Sequence, residues 1–270
     1  MPKKNPRGRQ APLSASQNFL TSSRTIQKLL AQTDIGPGDL VYEIGPGKGH
    51  ITRELLRAGA MVRAIELDPK LFQKLKERFA DQPLLSLRQG DFLATPLPNS
   101  GDYRVFSNIP FARTTDILRK LTSAPNPPHT AWLVMEEGAA RRFCSAFDSV
   151  DGSMLSVSLR PFFDLRIIER LQRTQFHPAP YVDCVMLRIR RRDTPDLRYC
   201  QRAAFRRFLE KTWPNSPQEL LTKRQISASF RQAGLPQPAP DGKLLYVQWL
   251  CLFRTYQALT GPRRRKRLRP

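Results

Sequence analysis

From about residue 20 to residue 190, short apolar runs alternate with stretches whose apolar residues recur every three or four positions. Leu40-Val41-Tyr42-Glu43-Ile44 reads as a buried strand, and Ile51 and Leu55 put one apolar face on a helix over Ile51–Arg57. Met61–Leu67 gives a second strand. Pro69 then opens a helix whose apolar face is Leu71, Phe72, Leu75 and Phe79. Leu84–Leu87, Tyr103–Ser107 and Ala131–Met135 predict three more strands, with helices over Thr115–Thr122 and Gly138–Phe147. This repeated alternation predicts an α/β domain, a parallel sheet covered on both faces. Leu165–Leu171 and Cys184–Arg190 follow with no helix between them, which suggests an antiparallel hairpin closing the sheet edge. Beyond Arg192 the period changes: Arg202–Trp213, Gln218–Ala233 and Leu244–Leu259 read as helices separated by proline-bearing loops.

The expected organisation follows. Residues 1–13 form a basic, disordered N-terminus, 14–193 the α/β domain, 194–261 a small helical domain, and 262–270 a basic tail. The chain has 270 residues, of which 40% are hydrophobic, enough for one large core with an appendage. No apolar run approaches the roughly 20 residues that cross a bilayer, and no apolar stretch follows the basic residues of Met1–Pro12. A cytoplasmic protein is the expectation. Cys144, Cys184, Cys200 and Cys251 lie far apart, as do the three histidines, so free thiols and no metal site are expected. Charge changes the picture most. Lys and Arg total 45 against 23 acidic residues, a net charge of +22 that points to a polyanionic partner. With no amphipathic helix suited to a membrane surface, nucleic acid is favoured.

Candidate chemistry sits where the predicted strands end. Glu43-Ile44-Gly45-Pro46-Gly47-Lys48-Gly49 joins the first strand to a helix. Its G-x-G-x-G spacing differs from the dinucleotide fingerprint G-x-G-x-x-G, and Glu43 would repel a pyrophosphate. Alone, the loop fits either a tight turn or a ligand cradle. Glu66 lies about twenty residues on, where such folds place an acid on ribose hydroxyls. Asp68 before Pro69 reads instead as a helix cap. Asp91, after the third strand, is placed to accept from an adenine amine. The fourth strand ends Ser107-Asn108-Ile109-Pro110-Phe111. An adenine N6 amine is a poor nucleophile because its lone pair is delocalised into the ring. Two acceptors, the Asn108 side-chain carbonyl and the backbone carbonyl next to Pro110, would hold its protons and localise that pair. Phe111 offers a flat face to a flipped-out base. Transfer from an already activated donor needs positioning and charge stabilisation, with no metal or covalent nucleophile.

Ser16-Gln17-Asn18-Phe19-Leu20, Glu43 to Gly49, Glu66, Asp91, Asn108 to Phe111 and Phe176-His177-Pro178-x-Pro180-x-Val182 together resemble the ribosomal RNA adenine N6-methyltransferases. Within that superfamily the chain resembles the Erm macrolide-resistance enzymes, over roughly residues 14 to 260. Relatives that dimethylate 16S rRNA carry Asn-Leu-Pro-Tyr-Asn at the fourth motif. This chain has Asn108-Ile109-Pro110-Phe111-Ala112, which favours the 23S branch. The resemblance implies a Rossmann-like class I fold that binds S-adenosyl-L-methionine. It places Asn18 and Leu20 on the cofactor, Gly45 beneath its methionine part, Glu66 on the ribose, Asp91 on the adenine and Asn108 on both cofactor and target. It makes Asn108, Pro110 and Phe111 catalytic, and Phe111 and Phe176 the walls around the target base. Before the resemblance, Phe176 fits a core position equally well. The implied partner is 23S rRNA, bound by a monomer before or during ribosome assembly. Arg141 and Arg142, then Arg188 to Arg192, Arg206 and Arg207, are candidates for phosphate contacts. A 16S dimethylase and a non-catalytic RNA-binding relative are the alternatives. A nicotinamide dehydrogenase fails on glycine spacing.

Overall fold

The computed structural model describes residues 18–144, 153–238 and 243–260. Two compact units divide the chain, Met1–Glu137 with Ile167–Ile189, and Gly138–Arg166 with Arg190–Pro270. The central sheet is built from β2 (Leu40–Ile44), β3 (Met61–Glu66), β4 (Leu85–Gln89), β5 (Arg104–Asn108), β6 (Thr130–Glu136), β7 (Phe163–Leu171) and β9 (Cys184–Arg191). Two further strands of two residues each, β1 (Phe19–Leu20) and β8 (Phe176–His177), pair antiparallel and apart from that sheet.

The seven-stranded sheet runs in the order β4-β3-β2-β5-β6-β9-β7. Strands β2, β3, β4, β5 and β6 run parallel to one another, Ile44 facing Ile65 and Asn108 facing Val134 across the ladders. Chain order winds outward in one direction from β2 through β3 to β4. It then returns to β5 on the other side of β2, so the switch in direction falls between β2 and β5. Ligands of such sheets bind beyond the carboxyl ends of the strands at this point. The expected terminal strands β7 and β9 do lie side by side at the sheet edge.

Helices follow the strands for local reasons. α2 (His50–Arg57) starts at Gly49, whose φ of 76° only a glycine adopts without strain, and buries Ile51 and Leu55. α3 (Pro69–Arg78) is capped by Asp68, which accepts from Lys70 and Leu71 N–H, as the Asp-Pro pair predicts. α4 (Thr114–Ser123) buries Ile117, Leu118 and Leu121. Together with α1 (Ser23–Leu30), β1 and β8, these elements close a core containing Leu20, Ile26, Leu29, Val41, Leu55, Val62, Phe106, Trp132 and Phe176.

The second unit is mainly helical. α5 (Glu137–Phe143) and α6 (Met154–Leu159) precede β7, and α7 (Arg202–Thr212), α8 (Lys223–Gln232) and α9 (Tyr246–Thr260) follow β9. Phe205, Phe208, Phe230, Trp249 and Phe253 are buried between them, Phe205 and Phe253 with ring centres 5.0 Å apart. The expected helix over Gln218–Ala233 begins later. Pro217–Glu219 is a single 3-10 turn, and the Thr222/Gln225 capping box starts α8. Of the helix expected over Gly138–Phe147, residues past 144 lie outside the described ones, as do the basic segments at both ends.

Candidate functional site

The sequence-predicted residues gather at the switch between β2 and β5. Asn18, Phe19, Gly45, Asn108, Ile109, Pro110 and Phe111 line one pocket there. Gly45 leaves β2 with a φ of 61°, and a Cβ built on it would meet nothing within 4 Å. The chain thus turns in a glycine-only conformation and leaves open space over its backbone. Gly47 is constrained differently: its φ is 59°, and a Cβ would run into the Phe19 ring. Lys48 Nζ lies 5.1 Å from the centre of the same ring.

Ser107 ties the two strand ends together, its hydroxyl donating to the Ile44 carbonyl at 2.5 Å. One residue on, the Asn108 amide nitrogen donates to the Asn18 carbonyl at 2.6 Å. That bond fixes the amide and turns its oxygen the other way. Asn108 Oδ1 is buried and has no hydrogen-bond partner, a state that costs free energy unless a ligand supplies a donor. Pro110 cannot donate, and Phe111 opens a 3-10 turn, half-buried and packed on the core cluster.

The acids lie at the ends of the next strands. Glu66 is 1% exposed; its Oε2 accepts from Gly47 N–H and its Oε1 from Asp68 N–H, both at 2.9 Å. A carboxylate oxygen accepts twice, so each retains one acceptor position for a hydroxyl. Burial raises the pKa of Glu66. Beside it, burial pushes Glu43 up to about 8, opposed by the Thr52 hydroxyl that donates to Glu43 Oε2 at 2.7 Å. Asp91 is more open, with a side chain 42% exposed. Its Oδ1 accepts from Leu93 N–H at 2.8 Å, and its Oδ2 stands 3.9 Å from Arg113.

Two expected residues sit elsewhere. Leu20 points its side chain into the core at 2% exposure, which leaves only its main chain for a ligand. Phe176, at 4%, belongs to the same core cluster and is absent from the pocket lining. Arg141 and Arg142 are exposed on α5. Phe19 lines the pocket although sequence reasoning gave it no role, and Ile109, whose carbonyl is the acceptor expected next to Pro110, lines it too. Phe19 stood inside a quoted motif, but only the paired β1 shows that its ring covers Gly47. None of the four cysteines is joined in a disulfide, and no helix among the described residues is long and apolar enough to cross a membrane. Among those residues no three His, Cys, Asp or Glu side chains are grouped to hold a metal.

Comparison with known proteins agrees with this geometry. Residues 9–241 match the family described as ribosomal RNA adenine dimethylase. An rRNA methyltransferase of Streptomyces thermotolerans is 33% identical over 244 residues, covering 88% of this chain and 80% of its own. An rRNA adenine N-6-methyltransferase of Lysinibacillus sphaericus is 29% identical over 91% of this chain and 97% of its own. The crystal structure of the 23S rRNA methyltransferase ErmE superposes with a TM-score of 0.73 at 29% identity, over 89% of this chain and all of that one. A dimethyladenosine transferase from Plasmodium falciparum, 19% identical, shares the fold with a TM-score of 0.71. The glycine turn, the buried acid beyond it and the unpartnered Asn108 oxygen fit S-adenosyl-L-methionine and an amine acceptor, and the chain belongs to the ribosomal RNA adenine dimethylase family of S-adenosylmethionine-dependent rRNA adenine N6-methyltransferases.

Proposed function

We propose that this enzyme methylates one adenine in the peptidyl-transferase loop of 23S rRNA and thereby protects ribosomes from macrolide, lincosamide and streptogramin B antibiotics. The observation that carries the reading is the buried, unpartnered Asn108 Oδ1, held in place by the bond from its own amide nitrogen to Asn18. An adenine N6 amine has two protons to give. Asn108 Oδ1 accepts one and the Ile109 carbonyl, next to Pro110, the other. With both protons held, the nitrogen lone pair is drawn out of conjugation and directed away from the acceptors. Phe111 carries the base on its ring, and Phe176 supports that wall from the core that Phe111 packs on. Bound S-adenosyl-L-methionine supplies a methyl group already activated by its sulfonium. Asn18 and the Leu20 main chain flank that cofactor, the space over Gly45 takes its methionine part, and Asn108 bridges cofactor and target. Glu66 accepts from the ribose and Asp91 from the adenine amine.

The choice of 23S over 16S rRNA rests on Ile109 in the fourth motif and on the likeness to ErmE along the whole of that chain. Arg141 and Arg142 neutralise RNA phosphates, which positions the substrate without selecting the base. The enzyme works as a monomer in the cytoplasm, on rRNA before or during ribosome assembly. Expression in a macrolide-susceptible bacterium tests the reading. The wild type is expected to raise the inhibitory concentrations of all three drug classes, and folded Asn108→Ala to raise none. Unchanged susceptibility with wild-type protein present and active on rRNA would contradict it.

A further inference from the structure

One side chain on the catalytic unit is displayed to solvent in a way its surroundings do not require. Tyr181 is 97% exposed, whereas the other exposed large apolar side chains among the described residues reach at most 43%. The loop that carries it is held at both ends. Phe176 and His177 pair with Leu20 and Phe19, Pro180 is buried, and the Asp183 carbonyl accepts from Glu137 N–H at 2.8 Å. Arg173 adds a bridge to the Asp183 carboxylate at 3.0 Å. Pro178 and Pro180 fix their own φ and restrict the residues before them. An aromatic ring is therefore presented to water from a stiff support, so little conformational freedom remains to be lost on contact.

We propose that Tyr181 is a stacking platform for an unpaired RNA base flanking the target adenine. The inference rests on rRNA being the substrate. His177 sits opposite Phe19, which lines the target pocket, and four residues of chain from His177 to Tyr181 reach about 14 Å at most. That is the span of a few nucleotides at roughly 3.4 Å each. A base extruded from its stack leaves its neighbours with an open face, and a tyrosine ring covers such a face whatever the base. The net charge of +22 on the whole chain favours a polyanion over an apolar protein surface. No group of Tyr181 enters the reaction; the ring fixes where the strand lies as the adenine turns into the pocket.

The test uses full-length protein and whichever rRNA fragment the wild type methylates, so failure of the 23S reading and failure of this one are separable. Tyr181→Ala is expected to raise KM for RNA by roughly five- to hundredfold, with KM for S-adenosylmethionine and kcat at saturating RNA unchanged. Tyr181→Phe and Tyr181→Trp should keep the wild-type KM. The slope of log KM against log salt should stay the same, because no phosphate contact is lost. An RNA made abasic in turn at each nucleotide flanking the target should, at one position, weaken the wild type by the same factor and the alanine variant no further. A wild-type KM in Tyr181→Ala would overturn the proposal. So would equal losses in the Phe and Ala variants, since the contact would then be through the hydroxyl.

Discussion

Replacing Glu66 by alanine should damage cofactor binding and the fold together, in proportions the structure sets. The Glu66 side chain is 1% exposed and accepts from the N–H groups of Gly47 and Asp68, both at 2.9 Å. Alanine strands the buried Gly47 donor, at about 1–3 kcal/mol of stability. The cofactor loses its hydrogen bonds to a charged acceptor, worth about 1.5–3 kcal/mol, or roughly ten- to hundredfold in affinity. Glu66→Gln keeps the volume but turns an amide nitrogen toward one of the two N–H donors, so it should fall between wild type and alanine. Asp91 supplies the internal control. With its side chain 42% exposed, Asp91→Ala should weaken cofactor binding while leaving the melting temperature nearly unchanged. Calorimetric titration with S-adenosylmethionine, beside thermal unfolding of each variant, separates the two effects. Folded Glu66→Ala protein with unchanged affinity would refute the ribose assignment.

Folded Asn108→Ala should retain cofactor binding within a few-fold and lose turnover by orders of magnitude, which single-turnover methylation measures. The Glu43 carboxyl, raised by burial to about 8 against 4.5 when unfolded, keeps its proton in the native state over pH values where the unfolded chain has lost it. Stability should therefore be greatest below pH 4.5 on this group's account and fall between pH 4.5 and 8, by at most about 1.4 kcal/mol per pH unit. Glu43→Gln should flatten that stretch of the melting-temperature profile, and an identical profile would show that another group is responsible. Deleting Pro262–Pro270, with its six basic residues between Arg263 and Arg269, should weaken RNA binding at low salt and flatten the salt dependence. The modified adenine should stay the same, because phosphate contacts position and base contacts specify.

The alternation of strand and helix, the glycine loop and the acids at strand ends were all legible in the sequence. Each is local: a β-rich run, a G-x-G-x-G spacing, an acid at the end of a strand or just past it. Asp68 shows this well, since an Asp-Pro pair after a strand announces its own cap. The pairing of β1 with β8 was not legible, because two residues carry no period and the partners stand more than 150 positions apart. With it went the place of Phe19 over Gly47 and the choice, left open by the residues alone, of the core for Phe176. α6 was missed because six residues give too few turns for a periodic signal, and only the Ser153 cap marks it. Nor does spacing reveal that Asn108 Oδ1 lacks a partner, for that depends on the Asn18 carbonyl arriving from 90 residues away.

The central claim, that the pocket around Asn108 methylates one 23S rRNA adenine at N6, is tested most directly by incubating the protein with labelled S-adenosylmethionine and bare 23S or 16S rRNA. The label is then mapped to a nucleotide. Label on the N6 of one adenine in the peptidyl-transferase loop of 23S rRNA, absent with Asn108→Ala, is the predicted result. Label confined to 16S rRNA would contradict the 23S assignment, and label on another atom, or undiminished in the variant, would contradict the mechanism.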